Sequence, residues 1–247
     1  MPSPLAALAS LPGGLVDRVR DAFGSPRAES VAVAMLVVVT VGTALGIVAL
    51  GAVFDATVDQ QITVDNPDRP PESTCETFGD DSDSVLADQC DEPKRIEVDA
   101  GEELRDAATG YIHYGLLGVP LWWIMFALAL HVGARVAGGS GSVGDSFVIA
   151  GWALGAELLR LGAGIAAIWY ALSNAAPAGS SFEALATDLV AAITGATGPL
   201  LVASAIAIAI QWVVVVAGLE AEHDLGRGAA AGVATFFAAI ALLLAAV

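Results

Sequence analysis

From Ser30 to Phe54 no charged residue occurs, and nearly every position is apolar. A helix rises about 1.5 Å per residue and crosses the hydrocarbon core in about 20 residues, so this stretch predicts a first membrane span. Further apolar runs predict four more spans: Tyr114 to Val136, Phe147 to Leu172, Pro199 to Gly218 and Gly226 to Val247. In the second, Pro120 can kink the helix, and Trp122-Trp123 suits a membrane interface. The turn Gly138 to Gly144 joins the second and third spans as a hairpin, which brings Trp169-Tyr170 to the same side as Trp122-Trp123. No charge lies between Asp188 and Glu220, a run too long for one crossing. Gly195, Gly198 and Pro199 offer a break, leaving an interfacial piece with Leu185, Leu189 and Ile193 on one face. Ahead of the first span, Leu15, Val16, Val19 and Phe23 share a helical face, and Gly24-Ser25-Pro26 ends the turn. This reads as a short amphipathic helix on the membrane surface; the alternative is a disordered basic leader. The first apolar run exceeds the roughly 7 to 15 residues of a secretory h-region, which favours an uncleaved anchor.

Composition adds a sign to this pattern. The chain of 247 residues is 56% hydrophobic, with a net charge of -17, 27 acidic residues and Lys94 as its single lysine. Such a surface excludes nucleic acid as a partner and suits concentrated salt, which implies a halophilic archaeal origin. Most of the acidic residues fall between Asp55 and Asp106, a segment too poor in hydrophobic residues to predict a sizeable core. It also holds the only cysteines, Cys75 and Cys90. Outside the cell they would form a disulfide contributing roughly 3 kcal/mol; a redox pair is disfavoured because the spacing is not C-x-x-C. Asp80-Asp81-Ser82-Asp83 can be read as a ligand for a hard cation such as calcium, or as a solvated acidic face; the glycine and distal glutamate of an EF-hand loop are missing. Arg18, Arg20, Arg27, Arg135 and Arg227 lie on one side of a five-span chain, which makes that side cytoplasmic. The amino terminus is then inside, the acidic loop and the carboxyl terminus outside, and no soluble catalytic domain is expected after the fifth span.

Few residues offer chemistry. Glu157 and Arg160 are three apart in the third span, so they share a helix face as an intramembrane charge pair. They read as a proton or ion relay, or as a structural pair fixing how that span packs. His131, near the inner end of the second span, is the other titratable candidate, with headgroup contact as its alternative. Gly138-Gly139-Ser140-Gly141 matches the G-x-S-G of intramembrane serine proteases only weakly, because the serine lies in a flexible turn. Glu220, Glu222, His223 and Asp224 resemble a metal cluster, but a polar loop capping two helices has the same composition. No metal or cofactor is expected, and no nucleophile, base and orienting group can be placed together. The pairs Gly42/Gly46, Gly151/Gly155 and Gly228/Gly232 have the G-x-x-x-G spacing that lets helices approach closely, in a compact bundle or a dimer.

The order of these pieces resembles the Yip domain family, the membrane proteins named for interaction with Ypt and Rab GTPases. LVDRVRDAFGSPR resembles the amphipathic leader of its prokaryotic members. LWWIMFALALHVGARVAGGSGSVGDSFVIAGWALG resembles the hairpin of second span, glycine turn and third span, and GLEAEHDLGRGAAAGV the link into the last span. The resemblance implies five spans with the amino terminus inside, in a haloarchaeal member. The acidic loop is larger than the family pattern, and the Asp-Leu-Tyr-Gly-Pro motif of eukaryotic members is absent, so GTPase binding is not carried over. The expectation is an all-α membrane protein with five transmembrane helices, an amphipathic amino-terminal helix and a large acidic extracellular loop. Its parts are a leader over 1–29, a first transmembrane helix over 30–54, the loop over 55–113 and a four-helix transmembrane region over 114–247. The expected role is a non-enzymatic scaffold or organiser in the cell membrane, partnered by the lipid bilayer and by its own copies or other membrane proteins. The alternative is a small transporter or channel component using Glu157 and Arg160.

Overall fold

The computed structural model describes residues 13–78, 85–175 and 182–245. Five of its helical stretches are long and apolar enough to cross a membrane: Ala28–Thr57, Ala100–Val136, Val143–Ala175, Thr197–Glu222 and Arg227–Ala245. In chain order the described elements are α1 (Gly13–Phe23), α2 (Ala28–Thr57), β1 (Gln61–Asp65), α3 (Glu72–Phe78), α4 (Val85–Cys90), β2 (Arg95–Asp99) and α5 (Ala100–Gly110). They continue with α6 (Ile112–Val136), α7 (Val143–Ala175), α8 (Phe182–Gly195), α9 (Thr197–Glu222) and α10 (Arg227–Ala245). The chain divides into two compact units, the first formed by Met1–Ala49, Gly110–Ala167 and Ala196–Val247, the second by Leu50–Thr109 and Ile168–Gly195.

The core of the first unit is built largely from small and β-branched residues. Ala127, Leu130 and Ala134 of α6 meet Ile149, Ala150 and Ala153 of α7, Val215 to Leu219 of α9, and Ala230 and Ala234 of α10. Small side chains let backbones approach, which supplies packing where apolar burial drives little association. The tightest approaches involve glycine. A Cβ on Gly218 would stand 2.6 Å from Ile149, and one on Gly151 would stand 2.9 Å from the Ala32 carbonyl. Gly42 and Gly46 lie against Leu158 and Leu161, so two of the three G-x-x-x-G pairs join α2 to α7, whereas Gly228 and Gly232 have nothing within 4 Å.

Helix α1 spends its apolar face on protein. Phe23 is buried with its ring 5.0 Å from Trp152, and Val16 and Val19 pack on the same core, while Leu15 stays exposed. Charges clamp the other side: Arg227 reaches Asp17 at 2.8 Å and Glu220 at 2.7 Å, and Arg20 lies 3.7 Å from Glu220. Trp123 likewise turns inward, where its indole N–H donates to the Phe147 carbonyl at 3.1 Å and its ring stacks edge-on with Phe147. Trp123 is half-buried, and the main-chain carbonyl satisfies its indole N–H.

The second unit has a small core of its own, to which the acidic segment contributes only part. β1 and β2 pair antiparallel, with Ile62 opposite Val98 and Val64 opposite Ile96. Ile62, Val64 and Val98 join Val58, Ala100, Leu172, Leu185 and Leu189 in one apolar cluster. Leu185 and Leu189 of α8 are therefore covered by protein rather than laid on a membrane interface. The Asp99 carboxylate accepts from the Gly101 and Glu102 N–H groups, at 2.9 and 3.1 Å, and so caps α5. Gly101 is tightly placed: a Cβ there would stand 2.6 Å from the Val58 carbonyl. Cys75 of α3 and Cys90 of α4 are joined, S–S 2.11 Å, and Arg69 donates to the carbonyls of Cys90 and Glu92. Lys94 donates to Glu72 at 2.9 Å, and this bond with the lysine charge holds the Glu72 carboxyl below its usual range. Asp80 to Asp83 lie outside the described residues.

Candidate functional site

Two polar groupings stand out in the first unit. One lies where the α6–α7 turn meets the α9–α10 link. Gly138 ends α6 with φ 91°, a conformation glycine adopts without strain, and the Gly139 N–H returns to Ala134 at 2.8 Å. Ser142 and Asp145 then start α7 reciprocally: the Asp145 N–H donates to the Ser142 hydroxyl at 3.2 Å, and the Ser142 N–H to the Asp145 carboxylate at 2.6 Å. Across from them α9 closes with Asp224 at φ 53° and the Leu225 N–H bonded to Leu219. The two turns interlock, since Ser140 donates to the His223 carbonyl through its N–H and to the Asp224 carboxylate through its hydroxyl at 2.7 Å.

His223 is fully buried there, with Nε2 2.9 Å from the hydroxyl of Ser146, itself fully buried. Its ring centre lies 5.9 Å from that of His131. His131 thus packs against protein through this ring contact, with its Nδ1 enclosed, rather than simply meeting headgroups. Burial pushes the His223 pKa down, His131 and Arg135 push the same way, and Asp145 and Asp224 oppose them. A serine and a histidine in contact invite a catalytic reading, which the geometry answers. Both are closed to solvent, and the His223 Nδ1 has no acceptor among the described residues to orient it. Ser140, the serine of the G-x-S-G match, is paired with a carboxylate instead. Glu220, His223 and Asp224 face three different partners, and no group of three or more metal-binding side chains occurs among the described residues.

The second grouping is centred on Glu157. Arg160 donates to Glu157 Oε2 from Nε at 2.9 Å, and from Nη2 to Oε1 at 2.8 Å and Oε2 at 2.6 Å. Gln211 of α9 adds a third donor group, its amide N–H reaching Oε1 at 2.6 Å. The carboxylate is therefore held on both oxygens from two helices, which offsets much of the cost of taking it out of water. These side chains border a cavity of about 320 Å³ walled by Trp122, Phe126, Trp212 and Phe237, with alanines of α10 opposite. Spacing along α7 exposed the Glu157–Arg160 relation; Gln211 was visible as an amide within the uncharged run, but its partner lies on another helix.

No curated protein and no solved structure matches the chain. The profile of the Yip1 domain matches residues 14–247, a stretch that includes all but the first residue of α1, both interlocked turns, the Glu157 cavity and all five apolar helices. With that extent of match, this multi-pass membrane protein belongs to the Yip1 domain family.

Proposed function

We propose that the protein is a non-enzymatic scaffold or organiser of the cell membrane, with its amino terminus in the cytoplasm and its carboxyl terminus outside. The observation that carries the reading is the clamp on α1. Asp17, Arg20, Glu220 and Arg227 fix an otherwise short helix against the bundle, and leave Arg18, Asp21 and Arg27 exposed as a charged face in a constant position. A short helix is marginal in water by itself, so docking turns a fluctuating segment into a fixed contact surface. Affinity capture of the tagged protein from native membranes at high salt, with mass spectrometry, tests this. A partner retained by the wild type and lost from Asp17→Ala/Arg227→Ala supports the scaffold and locates its surface. A homo-oligomer with no partner opposes it.

A second reading is favoured by the Glu157 cavity: a small transporter or channel component. It requires that Glu157→Gln abolish solute flux in proteoliposomes while the variant still purifies as a folded protein. Loss of folding in that variant favours a structural pair.

A further inference from the structure

We infer that the two interlocked turns form an acid-sensitive latch: a proton taken up by His223 parts the α6–α7 turn from the α9–α10 link and frees α1 from its seat. Histidine is the side chain whose charge changes near neutral pH, so what matters is the room around this one. His223 and Ser146 are both fully buried, with Nε2 2.9 Å from the Ser146 hydroxyl. Nδ1 is enclosed and has no hydrogen-bond partner among the described residues. On that side the turn closes over the ring, since a Cβ on Gly141 would stand 2.7 Å from Nδ1. A neutral imidazole tolerates this by keeping its hydrogen on Nε2 and leaving Nδ1 bare. An imidazolium carries a second N–H, which at Nδ1 enters a closed contact and needs an acceptor or water.

The charged and titratable neighbours divide in sign. His131 and Arg135 of α6 oppose a positive ring, Asp145 of α7 and Asp224 of the link favour it, and burial opposes it more than any one of them. Glu222, the preceding residue of the chain, faces Asp145 and Glu29. Parting the turns opens Nδ1 and lets water reach the ring, which removes both the burial and the missing acceptor. Its cost is the pair of bonds from Ser140, through the N–H to the His223 carbonyl at 3.0 Å and through the hydroxyl to Asp224 at 2.7 Å. The same link is the seat of α1. Glu220 and Arg227, on either side of His223 in the chain, pair with Arg20 and Asp17, and Phe23 lies over Gly218, where a Cβ would stand 3.1 Å from its ring. A link that shifts to release the α6–α7 turn therefore shifts the groups that hold α1. The inference goes beyond the scaffold reading and stands whether or not a partner is found.

Amide hydrogen exchange of the full-length protein in nanodiscs reads the docking of α1, with rates expressed as protection factors so that the intrinsic effect of pH on exchange divides out. An opened ring takes its proton near the ordinary value of 6.5. Between pH 7.5 and 5.5 the protection of α1 is therefore expected to fall by up to about tenfold, while the central turns of α6 and α7 stay more strongly protected. His223→Gln is expected to abolish that fall. Gly141→Ala wedges the turns apart without touching a charge, and should leave α1 as poorly protected at pH 7.5 as the wild type is at pH 5.5, with little further change on acidification. Protection of α1 that is independent of pH in the wild type, a fall that persists in His223→Gln, or full protection of α1 in Gly141→Ala would each overturn the latch. Protection lost equally from α1, α6 and α7 overturns it as well, because that is unfolding of the whole bundle.

Discussion

At the scale of single residues, His223 shows how burial sets a pH dependence. Its pKa is lowered in the folded protein, first by burial, while the unfolded chain protonates it near the ordinary value of 6.5. Below that value the unfolded state binds more protons than the folded one, so stability falls as pH drops, by at most about 1.4 kcal/mol per pH unit from this group. Thermal unfolding in detergent between pH 7.5 and 5.5 should show this decline, and His223→Gln should flatten it. Gly141 tests the same junction by volume. A Cβ there would stand 2.2 Å from the Glu222 carbonyl and 2.7 Å from the His223 ring, so Gly141→Ala should cost about 1–3 kcal/mol in the same assay. Glu157 and Arg160 were legible in the sequence because their spacing on one helix is fixed at i, i+3. Ser146 and Gln211 were not, because each acts through a side chain 77 or 54 positions away, and no local pattern records that distance.

At the scale of elements, the helices were legible and the small strands were not. Long charge-free runs leave little choice of structure in a bilayer, where every backbone group must be satisfied within the segment. The break between α8 and α9 at Ala196 follows from the same length argument. β1 and β2 are only five residues each, and their alternation at Ile62/Val64 and Ile96/Val98 was submerged in surrounding acidity. The glycine pairs separate cleanly by what they face. Gly151→Val drives side-chain atoms into the Ala32 backbone and should lower the unfolding temperature markedly, whereas Gly232→Val meets open space and should leave it nearly unchanged. The Cys75–Cys90 link closes a separation of 15 residues, so Cys75→Ser/Cys90→Ser should lose about 3 kcal/mol locally. Limited proteolysis should then cut the segment between β1 and β2 in the variant, and spare it in the wild type.

At the scale of the whole molecule, the proposed orientation can be checked with the same two cysteines, since the chain has no others. An impermeant reductant followed by an impermeant thiol reagent should label intact cells at Cys75 and Cys90; labelling only after lysis would reverse the orientation. The five-span count was readable from hydropathy, while the outward-facing part of that pattern misled at α8. Leu185 looks like an interfacial residue by type, yet it is buried by protein packing that depends on contacts distant in sequence.

The clamp on α1 also carries a timetable. Asp17 and Arg227 are 210 residues apart, so their contact cannot form until that length of chain has been made. At a synthesis rate of about 5–20 residues per second, that interval is roughly 10–40 s. During it the amino-terminal helix has left the ribosome while its seat does not yet exist. A segment made early is thus fastened late, and its docking reports that the hairpin of α9 and α10 is in place.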